Sequence, residues 1–126
     1  MPKFLSEEWI KQYAEEWNKN EKLREGLKKF SATIKYYIEG SDQEPVYIKV
    51  EKGKVVEAGR APDIKYDFEM WATPEDWNIL ATGQMGPKAA MLTKRLKFKG
   101  SMITAMKYMG AFEESLRMMG KIPTQW

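Results

Sequence analysis

Asp63 with Asp67, and Glu113 with Glu114, are the carboxylate pairs that could do acid–base chemistry. Such chemistry needs two carboxyl groups converging on one point with pKa values driven apart. Asp63 and Asp67 are four residues apart across a loop and the start of a strand. Glu113 and Glu114 are neighbours on a helix, so they diverge. Each reads as a solvated charge. The sequence contains no histidine and no cysteine, so the commonest general base, the commonest transition-metal ligand and every thiolate are missing. Gly83-Gln84-Met85-Gly86 completes neither the dinucleotide nor the nucleotide phosphate-loop pattern. Arg95, Lys97 and Lys99 alternate along one strand face, but no aromatic residue shares that face as it does in sheets that stack single strands. These residues point to no catalytic group, no metal, no cofactor and no nucleic acid.

The methionines are distributed unevenly. Eight of the nine lie between Met70 and Met119. Methionine is flexible and polarizable and suits surfaces that adapt to an apolar shape. Met102, Met106 and Met109 recur at steps of four and three, which puts them on one helix side. Phe112, Leu116 and Met119 extend a similar stripe. On spacing alone the stripe is that of a helix packed on a sheet; an apolar cavity wall is the functional reading. Among the five tryptophans, Trp9, Trp17 and Trp77 fit helical core positions. Trp71 falls off its strand's apolar face, and Trp126 belongs to a tail expected to be disordered. Residues 1–85 carry 13 basic and 16 acidic side chains, residues 86–126 carry 8 basic and 2 acidic. A basic end suits an anionic membrane, an acidic ligand head or nucleic acid, and equally a solvated face of mixed helices.

The elements that position these residues follow from caps and periodicity. Ser6, followed by Glu7 and Glu8, starts an amphipathic helix through Trp9, Ile10, Tyr13, Ala14 and Trp17. Asn20 caps a short second helix marked by Leu23, Leu27 and Phe30. At Ser31 the period becomes two, with Ile34, Tyr36 and Ile38 on one face. Val46–Val50 and Lys54–Ala58 form a hairpin around Lys52-Gly53, and 59–63 breaks the pattern. Ile64, Tyr66, Phe68 and Met70 line one face of a fourth strand. Thr73-Pro74-Glu75-Asp76 is a strong helix start, Pro87 opens another helix, and Arg95–Lys99 is a fifth strand. Gly100-Ser101 caps a helix to about Tyr108, and the last helix runs from Ala111 to Met119. The two-helix excursion between strands four and five is long enough for that pair to be parallel.

At 126 residues the chain has room for one domain, residues 1–126. No stretch approaches the roughly 20 apolar residues of a membrane span. A soluble, cytoplasmic protein is expected.

The run Trp77-Asn78-Ile79-Leu80-Ala81-Thr82-Gly83, then Pro87 and Ala89-Ala90, then Lys94-Arg95-Leu96-Lys97-Phe98-Lys99-Gly100 resembles the sterol carrier protein type-two domain. The order of elements is similar over nearly the whole chain. One departure is Lys94, which stands where a glycine is frequent before the last strand. The resemblance implies an α+β fold: a five-stranded, mixed but mostly antiparallel sheet, covered on one face by helices and enclosing an apolar tunnel. It implies non-enzymatic binding and carriage of one apolar lipid, a fatty acid, fatty acyl-coenzyme A, phospholipid or sterol. Carried onto this chain, the tunnel would be lined by Phe68, Met70, Trp77, Leu80, Met85, Met91, Leu92, Phe98, Met102, Ile103, Met106, Met109, Phe112 and Leu116. In that context the methionine stripe turns from plain core into cavity wall, and Gly100, Gly110 and Gly120 become candidate lid hinges. The expected partners are the lipid itself, transiently an anionic membrane surface or a lipid enzyme, and the expected state is a monomer or weak homodimer. The competing readings are a protein-interaction or dimerisation module, and an accessory part of a lipid-metabolising enzyme.

Overall fold

The computed structural model describes residues 1–126. Helix α1 (Glu7–Lys19) begins where Ser6 accepts the Trp9 amide, and α2 (Glu21–Gly26) where Asn20 accepts that of Leu23. Both caps satisfy amides that no helical carbonyl can reach. Strands β1 (Ala32–Ile38), β2 (Val46–Glu51), β3 (Lys54–Arg60) and β4 (Phe68–Ala72) follow. Helices α3 (Pro74–Ala81) and α4 (Pro87–Leu92) lead to the three-residue β5 (Lys97–Lys99), then α5 (Met102–Lys107), α6 (Met109–Met118) and a 3₁₀ turn, Met119–Lys121. No helix is long and apolar enough to cross a membrane.

The sheet order is β3-β2-β1-β4-β5. Its neighbours form three antiparallel pairs and one parallel pair, and the parallel pair is β1 with β4. The expectation that β4 and β5 could be parallel is therefore corrected. The α3–α4 excursion returns to the end of β4 that it left, since β5 begins with Lys97 beside Trp71, and the crossover lies instead in residues 61–67. After two hairpin steps β3 ends beside Val46, at the end of β1 opposite to where β4 must start. Residues 61–67 carry the chain back over the sheet face away from the helices: the Tyr66 ring meets Tyr47 at 6.1 Å and lies 5.6 Å from Lys35 Nζ. Ile64 and Tyr66, read above as strand, belong to this crossover, and Ile64 is exposed. The fourth strand is correspondingly shorter, while β3 runs two residues past Ala58. Phe30 lies beyond α2. The final helix starts at Met109, so Gly110 lies inside it and does not mark a break.

The inner sheet face is the apolar set that alternation requires. Ile34, Tyr36, Val46, Ile48, Val50, Phe68, Met70 and Ala72 are all buried in one core with Trp9, Ile10, Tyr13, Trp17, Leu23 and Trp77. Each of these three tryptophans donates its indole N–H: Trp9 to Thr124 Oγ1, Trp17 to the Gly53 carbonyl and Trp77 to the Tyr37 carbonyl. The exposed edge of β3 is paired by a side chain, since Asn18 donates to the Val55 carbonyl and accepts its amide. The C-terminal tail is ordered rather than loose. Trp126 stacks on Phe4 at 4.5 Å, and Lys3 pairs with Gln125 in a parallel bridge.

Candidate functional site

Helices α1 and α2 fill their part of the sheet face, but α5 and α6 do not close on theirs completely. Between them lies an apolar cavity of about 50 Å³. Its floor is Ile34, Tyr36, Phe68, Met70 and Phe98. Its roof is Thr104, Ala105, Tyr108, Ala111, Phe112 and Ser115, with Trp17, Leu27 and Phe30 completing the wall. Aromatic rings run in a chain along it: Phe30 to Phe68 at 6.0 Å, Phe68 to Phe98 at 5.6 Å and Phe98 to Phe112 at 6.1 Å.

A second space lies beside β5, at the end of the sheet. This open groove of about 620 Å³ is walled by Trp71, Met91, Leu92, Leu96, Phe98, Met102, Met106 and Met109, with Lys88, Lys94 and Lys97 at its rim. Phe98 is the one residue common to cavity and groove. Sites for small apolar ligands span roughly 300–1,000 Å³. The groove is of that size; the narrow cavity is not.

Of the three candidate hinge glycines two are packing glycines, while a Cβ at Gly110 would meet nothing within 4 Å. Gly100 has φ +146°, and a Cβ there would stand 2.5 Å from a Phe68 ring carbon. A Cβ at Gly120 would collide with the Ala81 carbonyl oxygen. Both let α5 and the 3₁₀ turn approach their neighbours closely. Lys94 has φ +60°, the left-handed conformation that glycine adopts without strain. The departure noted in the sequence thus falls at a position whose backbone favours glycine.

Polar groups are few at this site. Tyr13 donates to the Ser115 carbonyl at 2.8 Å, and Ser115 donates to the Phe112 carbonyl at 2.7 Å. The Tyr36 hydroxyl, fully buried, stands beside the Tyr13 hydroxyl but makes no hydrogen bond of good geometry. Burial pushes both tyrosine hydroxyls well above their ordinary pKa, so both are neutral. At the rim, Arg95 pairs with Asp76 and Lys97 with Glu39, each at 2.9 Å, and Lys99 with Glu69 at 3.9 Å. Lys88, Lys94 and Lys107 have no ion-pair partner.

The fourteen residues singled out in the sequence divide three ways. Phe68, Met70, Phe98 and Phe112 line the cavity. Met91, Leu92, Met102, Met106 and Met109 line the groove, again with Phe98. Trp77, Leu80 and Leu116 are buried core, Met85 packs against that core, and Ile103 faces solvent at 85% exposure. Ile34 and Tyr36 were missed because the parallel β1–β4 pair, which brings them to the cavity, is not local in sequence; Trp71 was missed because it lies off the apolar face of β4 and reaches the groove beside Lys97 of β5. Lys88 and Lys94 were missed as groove residues because they become neighbours of the methionines only through the fold.

Three of the four carboxylates weighed above have structural partners, and Asp63 has no ion pair or side-chain hydrogen bond. Asp67 accepts from the Thr33 amide and hydroxyl, Glu113 pairs with Arg117 and Glu114 accepts from Asn20. No cluster of carboxylates has the form of a metal site. The arrangement provides apolar contact and a cationic rim.

The fold has counterparts among solved structures. A crystal structure of sterol carrier protein 2 superposes with a TM-score of 0.86 at 17% identity, covering 96% of this chain and all of the other. The solution structure of a conserved hypothetical protein from Thermus thermophilus, described as possibly a sterol carrier protein, gives 0.79 at 16% identity, over 99% and 93% of the two chains. The same fold forms part of a larger protein, a sec-alkylsulfatase from Pseudomonas, with a TM-score of 0.53 at 13% identity over 70% of this chain and 14% of that one. None of the curated proteins matches the sequence. The model of the SCP-2 sterol transfer family matches residues 10–113, and with most of the chain inside that match, the protein belongs to that family.

Proposed function

We propose that this protein binds and carries one lipid molecule with an apolar chain and an anionic or polar head. The observation that supports this best is the adjacency of two apolar spaces that share Phe98 as a wall. A methionine-walled groove of about 620 Å³ adjoins, across one aromatic ring, a cavity between the sheet and α5–α6. An acyl chain in the groove exchanges water for methionine and aromatic walls, gaining about 0.8 kcal/mol for each CH₂ buried. Lys88 and Lys94, free of carboxylate partners, would face the head group and add charge-assisted hydrogen bonds. A chain too long for the groove would displace Phe98 and enter beneath α5, whose few residues have less packing to lose than the core helices.

Carriage makes and breaks no bond, and it suits a site whose nearby carboxylates are held by ion pairs and hydrogen bonds. Membership of a family whose fold also occurs inside a sulfatase supports a second reading, that of a lipid-binding part of a lipid-metabolising enzyme. The groove would then present the lipid to a catalytic unit. A fluorescent fatty acid titrated into the protein tests the lipid site. Saturable uptake of one molecule per chain is expected, weakened roughly fivefold by Lys88→Glu if the head is anionic. No uptake of any fatty acid, acyl-coenzyme A, sterol or phospholipid would overturn it.

A further inference from the structure

Four of the eight large apolar side chains exposed on this protein fall within fifteen residues: Leu92, Met102, Ile103 and Met106, at 80%, 51%, 85% and 50% exposure. The other four are scattered singly. Apolar groups this exposed and this close together are uncommon on a surface that meets only water. Three of them, Leu92, Met102 and Met106, are also groove walls, so the patch is the outer lip of the candidate lipid site.

The charge around the lip has one sign. From Trp77 to Phe112 the chain carries six basic residues and no acidic one. The nearby acids Asp76, Glu39 and Glu69 are already occupied by Arg95, Lys97 and Lys99, and Asp67, which lines a cleft with Lys107, accepts from the Thr33 amide and hydroxyl. Lys88, Lys94 and Lys107 remain unpaired. Lys107 lies one turn from Ile103 on α5, so the most exposed apolar residue and a free ammonium share a helix side.

From this geometry we propose that the α4–β5–α5 surface docks on an anionic lipid bilayer. Leu92, Ile103 and the two methionines enter the acyl boundary, and the free lysines meet lipid phosphates. Lysine suits this place because its stem lies along apolar surface while its ammonium stays at the interface. A second copy of the chain fits poorly, because two such surfaces would bring like charges together. Docking turns the groove mouth toward the bilayer, so a lipid passes between membrane and groove without crossing water. The inference rests on the lipid-carrier reading for its purpose but on separate residues for its chemistry.

The test is co-sedimentation with phosphatidylcholine vesicles, with and without one-third phosphatidylglycerol, alongside fatty-acid uptake in vesicle-free solution. Binding to the anionic vesicles should exceed that to the neutral ones roughly tenfold or more, and should fall as salt rises. Lys107→Glu should weaken it roughly fivefold or more, and Ile103→Glu roughly tenfold. Ile103→Trp should strengthen it, since tryptophan favours the interface. Neither residue lines the groove, so all three variants should take up fatty acid in solution as the parent does. Equal binding to both vesicle types would overturn docking, as would variants that bind like the parent or a concentration-dependent dimer that covers Ile103. Uptake of fatty acid without vesicle binding would sink docking and leave the carrier; vesicle binding without uptake would do the reverse.

Discussion

The ring of Phe98 on β5 lies 5.6 Å from that of Phe68 on β4, and Phe98 alone lines both the narrow cavity and the open groove. Phe68 has its other ring contact with Phe30, at the far side of the cavity. Phe98 is therefore a wall common to a space too small for a lipid and one large enough, and it stands half-buried on a three-residue edge strand.

Replacing that ring should join the two spaces. Phe98→Ala removes packing against Phe68 and Phe112, and a half-buried phenyl of this kind contributes about 2 kcal/mol. The ligand-free variant should lose about that much stability in urea unfolding. It should also gain affinity for longer acyl chains relative to shorter ones. A variant with unchanged chain-length preference would show that the cavity does not join the site.

Tyr36 carries a buried hydroxyl that makes no hydrogen bond of good geometry, and an unsatisfied buried polar group is a net cost. Tyr36→Phe should leave stability unchanged or raise it by up to about 1 kcal/mol. Urea unfolding of the variant checks this, and a loss of more than about 2 kcal/mol would mean that the hydroxyl is bonded in solution.

Three tyrosines give the protein an alkaline limit. Burial holds Tyr13 and Tyr36 well above the ordinary value of 10, and the Glu57 carboxylate that accepts the Tyr47 hydroxyl pushes Tyr47 up to about 12. A raised folded pKa means that the folded chain keeps a proton that the unfolded chain releases. This contribution is complete below about pH 10 and is lost as pH rises above it. Each buried tyrosine should contribute a slope of up to about 1.4 kcal/mol per pH unit there. Melting temperature followed with tyrosinate absorbance should show two tyrosines ionising only as the chain unfolds. Their ionisation in the intact fold would contradict the buried placement.

Lys94 sits at φ +60°, a conformation that costs a side-chain-bearing residue about 1 kcal/mol or more. Lys94→Gly should raise stability by about 0.5–1 kcal/mol, the strain relieved exceeding the extra entropy of the unfolded glycine. It should also weaken binding of anionic lipids, because one free ammonium leaves the groove rim. Thermal unfolding and a fatty-acid titration on the same variant read both effects.

Local signals in the sequence carried most of the fold. Ser6, Asn20, Thr73 and Ser101 each accept the amide that a cap should accept, because capping depends on residues three apart. Alternation located β1 and β2, because one face of each lies on the core. Pairing partners were not legible in this way. Residues 64–67 alternate like a strand, yet they belong to the segment that crosses the outer sheet face, and only the fold decides that β4 lies beside β1. The site followed the same division. The Met102–Met106–Met109 stripe was readable as one helix side, and it borders the groove. The cavity floor at Ile34 and Tyr36, and the lysines at the groove rim, come from elements far apart in the chain. Trp126 shows the limit at the tail, where a stacking partner at Phe4 orders a residue that position alone would leave loose.

The lipid-carrier reading is tested most directly by native mass spectrometry of freshly purified protein, followed by solvent extraction and identification of what was bound. One apolar molecule per chain is the expected result, and its head group should be anionic or polar to match the free lysines of the groove. A chain that arrives empty, and stays empty after incubation with fatty acids, acyl-coenzyme A, sterols and phospholipids, would contradict it.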